Sequence, residues 1–509
     1  MSGSPRVPRV PRVLRTRGAR TAPTAGGRAD RAGRTAGTRA VVVGGGLAGM
    51  LAAAAVMDHY DHVDIVEPHA FPAAGPGPRP GLPQARHAHI LMSGGADAID
   101  ALLPGTTERL LAAGARRVPI TTDMVVYSTE GWFRRWQRAT QYLIACSRDL
   151  TDFVVREQVL ADRRVTVHSG SRVVGLLGSR HSVTGVRVRT RSDRAGDPAA
   201  DMAADLVVDT SGRGSGMPRW LGELGVGGLA EDRIDSGLAY ASRTFRAPGG
   251  DAFPWPVVSV QAGPRVPGPG RSAVLVPVEG GRWMVSLAGT RGGNPGHDPD
   301  AFTSFARGLR HPVIGDLLAR AEPLTDVSVT RSTANERRYY ERLKVWPEQL
   351  VVLGDAVAAY NPVYGHGMSV AAQGALALRD TLGRHGATAA GMARGAQRAI
   401  ARPVAAAWSL AVGQDIHYPT TFGRQPALAD RLLQRYVTRL SRAATGSFHA
   451  ATALTEVVTL QAPPASLLSP AVLASALVGP LRPRLSAPQF TAAERRALQD
   501  GQAVVLSVE

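Results

Sequence analysis

The sequence predicts an α/β fold in which distant stretches of the chain complete one parallel sheet, with an antiparallel β-sheet and C-terminal helices beside it. Three observations lead to this prediction. A strand, a glycine turn, a helix and a second strand follow one another from Arg39 to Glu67. Alternating apolar segments divided by Gly/Pro turns occupy residues 237–290. The chain after residue 390 has mostly helical patterns interrupted by proline.

The turn after the first strand carries G-x-G-x-x-G, formed by Gly44, Gly46 and Gly49. The first glycine makes the tight turn, the second lets a pyrophosphate approach the backbone, and the third lets the helix lie close to the strand. The unpaired N–H groups at the helix start, where Leu47 and Ala48 lie, then face the phosphates. The motif predicts a Rossmann-type dinucleotide site.

The second strand, H-V-D-I-V-E, supports the same prediction because it ends in an acid. Glu67 follows the last glycine of the motif at about the 20-residue spacing expected of a carboxylate that binds ribose hydroxyls.

A membrane span or signal segment is the alternative interpretation of Ala40–Met57, which is apolar apart from its glycines. The adjacent glycines in its middle make a poor helix, so the dinucleotide site is favoured.

The formal net charge of +18 is concentrated at one end of the chain. Residues 1–39 contain ten arginines and one acid, and three Pro-Arg-Val repeats lie among them. Since this stretch lacks periodicity, we predict a disordered Arg-rich tail over residues 1–38. No basic helix with interleaved aromatic residues follows, so we expect no nucleic-acid partner.

The single cysteine, Cys146, excludes a disulfide within the chain and a cysteine metal site. This composition fits a cytoplasmic protein. A later apolar segment, Ser466–Leu481, is interrupted by Pro470 and Pro480. We interpret it as a packed helix or a lid, with contact with a membrane surface as the less favoured alternative.

The patterns divide the chain into four regions. The tail is followed by a dinucleotide-binding domain of three pieces, residues 39–115, 140–215 and 345–390. Residues 116–139 and 216–344 are predicted to form a substrate-binding β-sheet domain. Residues 391–509 form a C-terminal helical region. Within this scheme, strands are predicted at Met124–Ser128 and Trp132–Trp136.

A second cradle is predicted after the strand that ends at Leu353. Asp355 follows it, and a glycine loop then leads into a long Ala-rich helix. The carboxylate is placed to accept hydrogen bonds from a polyol. The amides near Gly367 and Met368, at the helix N-terminus, are placed to stabilise negative charge on a ring oxygen.

These motifs together resemble the class A FAD-dependent monooxygenases. G-D followed by P-x-x-G-x-G, with Asp355, Pro362, Gly365 and Gly367, is similar to the second FAD motif of that family, in which the aspartate holds the ribityl chain. The resemblance implies that the dinucleotide is FAD.

Three other positions carry the same resemblance. The strand A-D-L-V-V-D-T-S-G-R-G, with Asp209 and Gly212, resembles the return strand of the FAD domain. Arg79 in R-P-G-L and Arg148 in C-S-R-D-L are placed like family arginines near the cofactor. A surface ion pair is the alternative for each arginine taken alone, and a helix cap is the alternative for Asp209.

The strings P-Q-A-R-H-A-H-I-L, G-D-A-V-A-A-Y-N-P-V-Y-G-H-G-M-S and G-T-R-G-G resemble bacterial epoxidases of polyether ionophore biosynthesis, the monensin and lasalocid type. The similarity covers about residues 39–480. Many aromatic hydroxylases of the wider class have histidine where this chain has Val357, which favours the epoxidase branch.

The histidines do not indicate a metal site. His87 and His89 have strand spacing, but no carboxylate or thiol lies near them in sequence, so we predict no metal. They are placed to lie beside the flavin or to hold a loop. His366 is expected to shape the surroundings of the flavin ring or to pack.

The resemblance implies epoxidation of alkenes in a linear polyketide polyene through a flavin C4a-hydroperoxide, in polyether antibiotic biosynthesis. It implies FAD, O₂, and NAD(P)H as electron donor, directly or through a flavin reductase. The substrate is free or carrier-bound. No catalytic side chain is assigned, because the flavin is the reagent.

Two alternatives remain, an aromatic hydroxylase and a flavin alkene reductase of the geranylgeranyl type. A flavin halogenase is disfavoured, because that family relies on a lysine near the cofactor and a W-x-W-x-I-P string. Lys344 is the one lysine in this sequence, and Trp132 and Trp136 do not fit the string.

Overall fold

A computed structural model of the chain describes residues 37–193, 197–331 and 333–505. The predicted disordered tail, apart from its last two residues, lies outside these ranges. From Thr38 onward the described residues belong to one compact unit, so the domain boundaries stay a prediction.

The described strands, numbered in chain order, are β1 (Arg39–Val43), β2 (His62–Glu67), β3 (Ile90–Met92), β4 (Arg116–Pro119), β5 (Met124–Ser128), β6 (Gly131–Trp132), β7 (Tyr142–Ala145), β8 (Val165–Ser169), β9 (Ser171–Gly178), β10 (Val183–Thr190), β11 (Ala200–Ala203), β12 (Leu206–Asp209), β13 (Glu231–Ile234), β14 (Ala239–Arg246), β15 (Val257–Val260), β16 (Arg271–Val278), β17 (Arg282–Gly289), β18 (Glu322–Pro323), β19 (Ser328–Thr330), β20 (Asn335–Arg338), β21 (Leu350–Val352) and β22 (Ala358–Ala359).

The described α-helices are α1 (Leu47–Val56), α2 (Ser93–Leu102), α3 (Thr106–Ala112), α4 (Ile120–Asp123), α5 (Arg148–Leu160), α6 (Met217–Glu223), α7 (Pro299–Arg307), α8 (Val313–Leu318), α9 (Gly367–His385), α10 (Met392–Asp415), α11 (Leu428–Ala444), α12 (Phe448–Val458), α13 (Pro470–Val478) and α14 (Ala492–Val505). None of these helices is long and apolar enough to cross a bilayer.

The first layer is a five-stranded sheet in the order β21-β12-β1-β2-β8, with every neighbouring pair parallel. Its central strands are continuous apolar runs because helices cover both faces of such a sheet. Val41, Val42, Val207 and Val351 are completely buried. The α/β fold with a discontinuous Rossmann-type domain is therefore confirmed, since β12 and β21 come from far along the chain.

Helix α1 connects the first two parallel strands and packs against α5 and α9. Its alanines explain the close packing, because Ala52, Ala53 and Ala55 are fully buried between the sheet and the neighbouring helices. Helix α9 also contacts α2 and α10. The sheet edge where both glycine loops lie is thus held by helices from three parts of the chain.

The second layer is an eight-stranded sheet in the order β18-β14-β17-β16-β15-β5-β6, with β19 also paired to β14. Its pairs are antiparallel except β15 with β5. Side chains alternate between its faces, as the sequence pattern predicts. Ala241, Val285 and Leu287 pack into a core with Trp255 and Trp283, whose rings meet at 5.0 Å, while Tyr240 and Ser286 face a cavity.

The prediction of a strand over Trp132–Trp136 is wrong beyond Trp132. Only Gly131–Trp132 pairs as β6, and the backbone of Trp136 bonds to Thr121 instead. The intervening arginines bind the C-terminal part of the chain. Arg134 donates to the carbonyl of Pro483, and Arg135 pairs with Glu494 at 2.8 Å. These long-range bonds outweigh the local strand preference.

Candidate functional site

The carboxyl edge of the parallel sheet brings together four segments that the sequence singled out. In the register, Val43 of β1 lies beside Val66 of β2 and Asp209 of β12. Asp209 in turn lies beside Val352 of β21. The glycine motif, the acid at the end of β2, the T-S-G-R loop and the G-D loop therefore leave the sheet side by side. Open parallel sheets bind their ligands at this edge.

The three motif glycines differ in their surroundings. Gly44 has a φ of +98°, which side-chain-bearing residues rarely adopt. A Cβ on Gly49 would lie 1.9 Å from the carbonyl oxygen of Gly44, so the helix can approach the strand only with glycine there. A Cβ on Gly46 would meet nothing within 4 Å, because this residue borders the cavity. The turn at Gly44 and the close approach at Gly49 are as the sequence predicts.

Glu67 is buried and fixes the glycine loop through its carboxylate. One oxygen of its carboxylate accepts the N–H of Gly45 at 2.7 Å, and the other accepts the N–H of His69 at 3.0 Å. Arg79 completes this group, since it lies 3.4 Å from the carboxylate and donates to the carbonyl of Gly45 at 2.9 Å. Contact of Glu67 with a ribose stays a prediction.

Arg148 begins α5 and faces the same cavity. Its Nε donates to Asp152 one turn later at 2.6 Å, so the guanidinium is held by an internal ion pair rather than a surface one. Both side chains are buried. Arg79 is also internal, and its buried Nε has no partner among the described residues. Two fixed guanidinium groups thus border the cavity where anions are expected.

Asp209 does not cap a helix. Its carboxylate accepts the backbone N–H and hydroxyl of Ser211 and the hydroxyl of Ser215, which fixes the turn around Gly212. Burial raises the pKa of Asp209, and these hydrogen bonds oppose the change. Asp209 is fully buried and fixes the shape of this loop, whereas Gly212 of the same loop borders the cavity.

Asp355 follows β21 after Gly354, whose φ is +66°. Its side chain is exposed toward the cavity and accepts no hydrogen bond from any residue in the described ranges. The surrounding protein still excludes much of the water, so desolvation raises its pKa. A carboxylate in an enclosed space without a protein partner is suited to accept hydroxyl hydrogen bonds from a ligand.

The loop from Asn361 to His366 precedes α9. The Asn361 side chain caps a short 3₁₀ turn, Pro362–Tyr364, and Gly365 has a φ of +68° that reverses the chain into the helix. Helix α9 starts at Gly367 without a side-chain cap and without an acid in its first turn. Its first N–H groups are therefore available to a ligand in the cavity.

A buried carboxylate that the sequence analysis did not identify fixes this loop. Asp415, the last residue of α10, accepts hydrogen bonds from Tyr364 (2.6 Å), Asn335 (2.7 Å), Asn361 (3.0 Å) and Ser236 (3.3 Å). Burial raises its pKa, and these donors oppose the rise. No arginine or lysine of the described residues pairs with it. The sequence gives no local signal for this group, because its donors come from three distant segments.

The three histidines singled out earlier all border the cavity. His87 bonds to Ser242 at 2.7 Å, His89 donates to the carbonyl of His87, and His366 donates to the carbonyl of Val458. Burial lowers their pKa values, to about 4 for His87 and His366 and to about 3 for His89. They are neutral side chains that hold loops. Within the described ranges, no group of three potential ligands could hold a metal ion.

One cavity of about 1750 Å³ joins these elements. It exceeds the roughly 300–1,000 Å³ of a site for one drug-sized ligand, so it has room for a dinucleotide and a second molecule. Every sequence-predicted cofactor residue except Gly49 borders it: Gly44, Gly46, Leu47, Ala48, Glu67, Arg79, Arg148, Asp355, Pro362, Gly365, Gly367 and Met368.

The far part of the cavity lies between the eight-stranded sheet and helices α11 and α12. The lining of the cavity as a whole is mostly apolar, and this part includes Val126, Val274, Leu433, Val437 and Leu454 together with polar side chains such as Gln434 and Ser441. Glu130 fastens this wall, since its carboxylate pairs with Arg265 at 2.8 Å and with Arg442 of α11 at 3.0 Å. The arrangement suits an elongated apolar molecule.

The fold is that of flavin-dependent monooxygenases and halogenases. The p-nitrophenol 4-monooxygenase PnpA from Pseudomonas putida superposes with a TM-score of 0.56 at 16% identity, covering 83% of this chain and 98% of that protein. The flavin-dependent halogenase CmlS gives a TM-score of 0.54 at 18% identity, covering 93% and 78%.

The sequence relationship is more specific. The chain is 30% identical over 396 residues to Protein Rv3254 of Mycobacterium tuberculosis, covering 74% of this chain and 80% of that protein. The chain therefore belongs to the Rv3254 family. No family model matches it.

Proposed function

We propose that this protein binds FAD and uses O₂ to epoxidise alkenes of an elongated polyene, with NAD(P)H as electron donor, directly or through a flavin reductase. The observation that carries the proposal is the convergence of two glycine loops, from β1 and β21, on one large cavity with a mostly apolar lining. In the overall reaction, alkene, O₂, NAD(P)H and a proton give epoxide, NAD(P)⁺ and water. Bound FAD supplies the activated oxygen.

The residues of the chain fit this cofactor. The open position at Gly46 and the N-terminus of α1 would receive the pyrophosphate. The unpartnered carboxylate of Asp355 would accept hydrogen bonds from the ribityl hydroxyls. The N-terminus of α9 would stabilise negative charge on the flavin pyrimidine.

The far half of the cavity would exclude water and orient the substrate. The sheet supplies Val126 and Val274, and helices α11 and α12 supply Val437 and Leu454. A mostly apolar lining suits a polyene, whose alkenes need positioning rather than hydrogen bonding. The oxygen-transfer step needs no nucleophile from the protein, so the chain acts through position and water exclusion.

The structure offers one observation against halogenation. Lys344 is exposed and is not among the residues that line the cavity. A halogenase needs its lysine beside the cofactor. Aromatic hydroxylation and alkene reduction remain as the two alternatives.

The test is aerobic incubation of the purified protein with FAD, NADPH, a flavin reductase and candidate polyenes under ¹⁸O₂. Epoxidation adds one labelled oxygen and removes one alkene. A labelled phenol from an aromatic substrate would indicate the hydroxylase, whereas a gain of two hydrogens without O₂ consumption would indicate the reductase. A protein that binds no FAD would refute the proposal.

A further inference from the structure

Helix α11 has two faces with different surroundings. Leu428, Leu432, Arg435, Arg439 and Arg442 follow one another at alternating spacings of four and three residues, so they lie along one side of the helix. All five are exposed, with Leu428 at 73% and Leu432 at 53%. The opposite side, with Gln434, Val437 and Ser441, borders the cavity. The exposed side is therefore the outer surface of the cavity wall.

The exposed side of α11 continues onto α13. The guanidinium of Arg439 donates to the carbonyls of Ala476 (2.7 Å) and Leu477 (2.8 Å) at the end of α13. Leu477, Val478 and Leu481 follow there and are 68%, 70% and 72% exposed. We call these eight side chains, Leu428, Leu432, Arg435, Arg439, Arg442, Leu477, Val478 and Leu481, the outer face.

The charge around the outer face is strongly one-sided. Residues 424–493 contain seven arginines and two acids, and residues 457–481 contain no charged side chain. One of the acids, Asp430, is paired with Arg424. Within the outer face, Arg442 uses its Nε on Glu130, and Arg439 keeps one terminal nitrogen without a partner among the described residues. The outer face thus combines bulky apolar side chains with arginines, which is typical of helices that lie in the interface of an anionic bilayer.

We propose that the outer face docks this protein on the surface of an anionic phospholipid bilayer. An acidic protein partner would explain the arginines but leave the exposed leucines unexplained. A second copy would cover the leucines but bring the arginines of both chains together. A bilayer accounts for both features, because acyl chains receive the apolar side chains and lipid phosphates accept hydrogen bonds from the guanidinium N–H groups that the protein does not use.

This proposal favours membrane-surface contact, the alternative that the sequence analysis left open, over the expectation that Ser466–Leu481 only packs as a helix or a lid. That expectation depended on Pro470 and Pro480, which prevent a long helix. Only the fold shows that the side chains between and after them point outward. A bilayer at the outer face would also place an apolar substrate next to the cavity wall formed by α11. That consequence rests on the proposed function, whereas the docking itself does not.

The test uses full-length protein, in which residues 1–36 contribute nine arginines of their own. A local probe is therefore needed. Cys146 is buried, at 3% exposure, so a cysteine introduced by Val478→Cys can be labelled selectively with a polarity-sensitive fluorophore. Vesicles of equal phosphatidylcholine and phosphatidylglycerol should shift its emission to the blue. A label introduced by Leu324→Cys, on an exposed leucine elsewhere, should not shift.

Affinity measurements by vesicle co-sedimentation complete the test. The Leu477→Ser/Val478→Ser pair should weaken binding about thirty-fold or more, because two largely exposed apolar side chains lose their burial in lipid. Arg435→Gln on the outer face, combined with Arg431→Gln at the exposed arginine one turn before it on α11, should weaken binding by about five-fold for each arginine. The matched control, Arg398→Gln/Arg402→Gln on α10, has the same spacing and exposure and should bind like wild type.

Three results would overturn the proposal. The first is binding to vesicles without a blue shift in the emission of the label at position 478. Such a result would assign the binding to another part of the chain. The second is unchanged affinity of both the Leu477→Ser/Val478→Ser and the Arg431→Gln/Arg435→Gln variants. The third is a dimer in sedimentation velocity that Leu477→Ser/Val478→Ser dissociates, without vesicle binding. FAD absorbance should stay constant in every variant, so failure of docking leaves the proposed function intact.

Discussion

The hydroxyl of Tyr364 donates a hydrogen bond to Oδ1 of Asp415 at 2.6 Å. This bond joins the end of α10 to the loop that precedes α9, across 51 residues of sequence. Asn361 of the same loop donates to the other carboxylate oxygen. A buried carboxylate without a paired cation is costly. The hydrogen bonds from Tyr364 and Asn361 to Asp415 indicate that this carboxylate positions the loop.

Removal of the Asp415 carboxylate should therefore disturb both stability and cofactor binding. Asp415→Ala leaves buried donors unsatisfied, and we expect the free energy of unfolding to fall by about 3 kcal/mol or more. FAD affinity should fall as the loop loosens, while Asp415→Asn, which retains one acceptor oxygen, should lose less. Urea unfolding and FAD titration measure the two effects. Asp64→Asn is the control and should leave FAD affinity unchanged, because this buried carboxylate contacts Arg39 and His168 and lies outside the cavity lining.

The glycines of the first loop offer a matched pair of substitutions. Gly49→Ala places a Cβ 1.9 Å from the carbonyl oxygen of Gly44 and should destabilise the fold by about 1–3 kcal/mol or more. Gly46→Ala meets no protein atom and should leave stability within about 1 kcal/mol. It should nevertheless raise the Kd for FAD by about ten-fold or more, a change of about 1.4 kcal/mol. Equal effects of the two substitutions on FAD affinity and stability would contradict the assigned roles.

Asp355→Ala should weaken FAD binding without destabilising the protein, because its carboxylate has no described partner to lose. A hydrogen bond to a charged group contributes about 1.5–3 kcal/mol, so the Kd should rise about ten- to hundred-fold. Quenching of flavin fluorescence measures the Kd. Retention of full yellow colour after extensive dialysis would show that the ribityl chain binds elsewhere.

Stability should fall as the pH is lowered from about 6.5 to about 4. Burial depresses the pKa values of His87, His89 and His366 in the folded state, so the unfolded chain binds more protons in this range. Each histidine should contribute a slope of about 1.4 kcal/mol per pH unit. His366→Asn should reduce the slope by that amount between pH 6 and 4.5, whereas the exposed control His385→Asn should not. Urea unfolding of each variant across this pH range measures the slope of the unfolding free energy.

Lys344→Met should leave turnover unchanged, because the side chain is exposed and lies outside the cavity lining. Product analysis in the presence of chloride or bromide should show labelled oxygen and no halogen. A halogenated product that disappears in this variant would place the lysine in the chemistry and favour the halogenase.

The predictable part of this protein is the part with local patterns. The β-α-β unit could be predicted because Val41–Val43, the glycine motif and the acid at Glu67 are contiguous. The second loop could be predicted for the same reason, since Asp355 through Gly367 form one short motif. Twelve of the thirteen predicted cofactor residues border one cavity, and the other, Gly49, packs the helix against the strand. Their contacts with FAD stay a prediction.

Tertiary structure decided what has no local pattern. One partner of Glu67 is the N–H of Gly45, and the donors to Asp415 come from Ser236, Asn335 and the Asn361–Tyr364 loop. Such contacts join residues far apart in sequence, and a buried polar side chain looks the same in sequence as an exposed one. The outer face also depends on contacts between segments that are far apart in sequence. Composition determined that residues 457–481 are apolar, but only packing against α11 decided which of those side chains remain exposed.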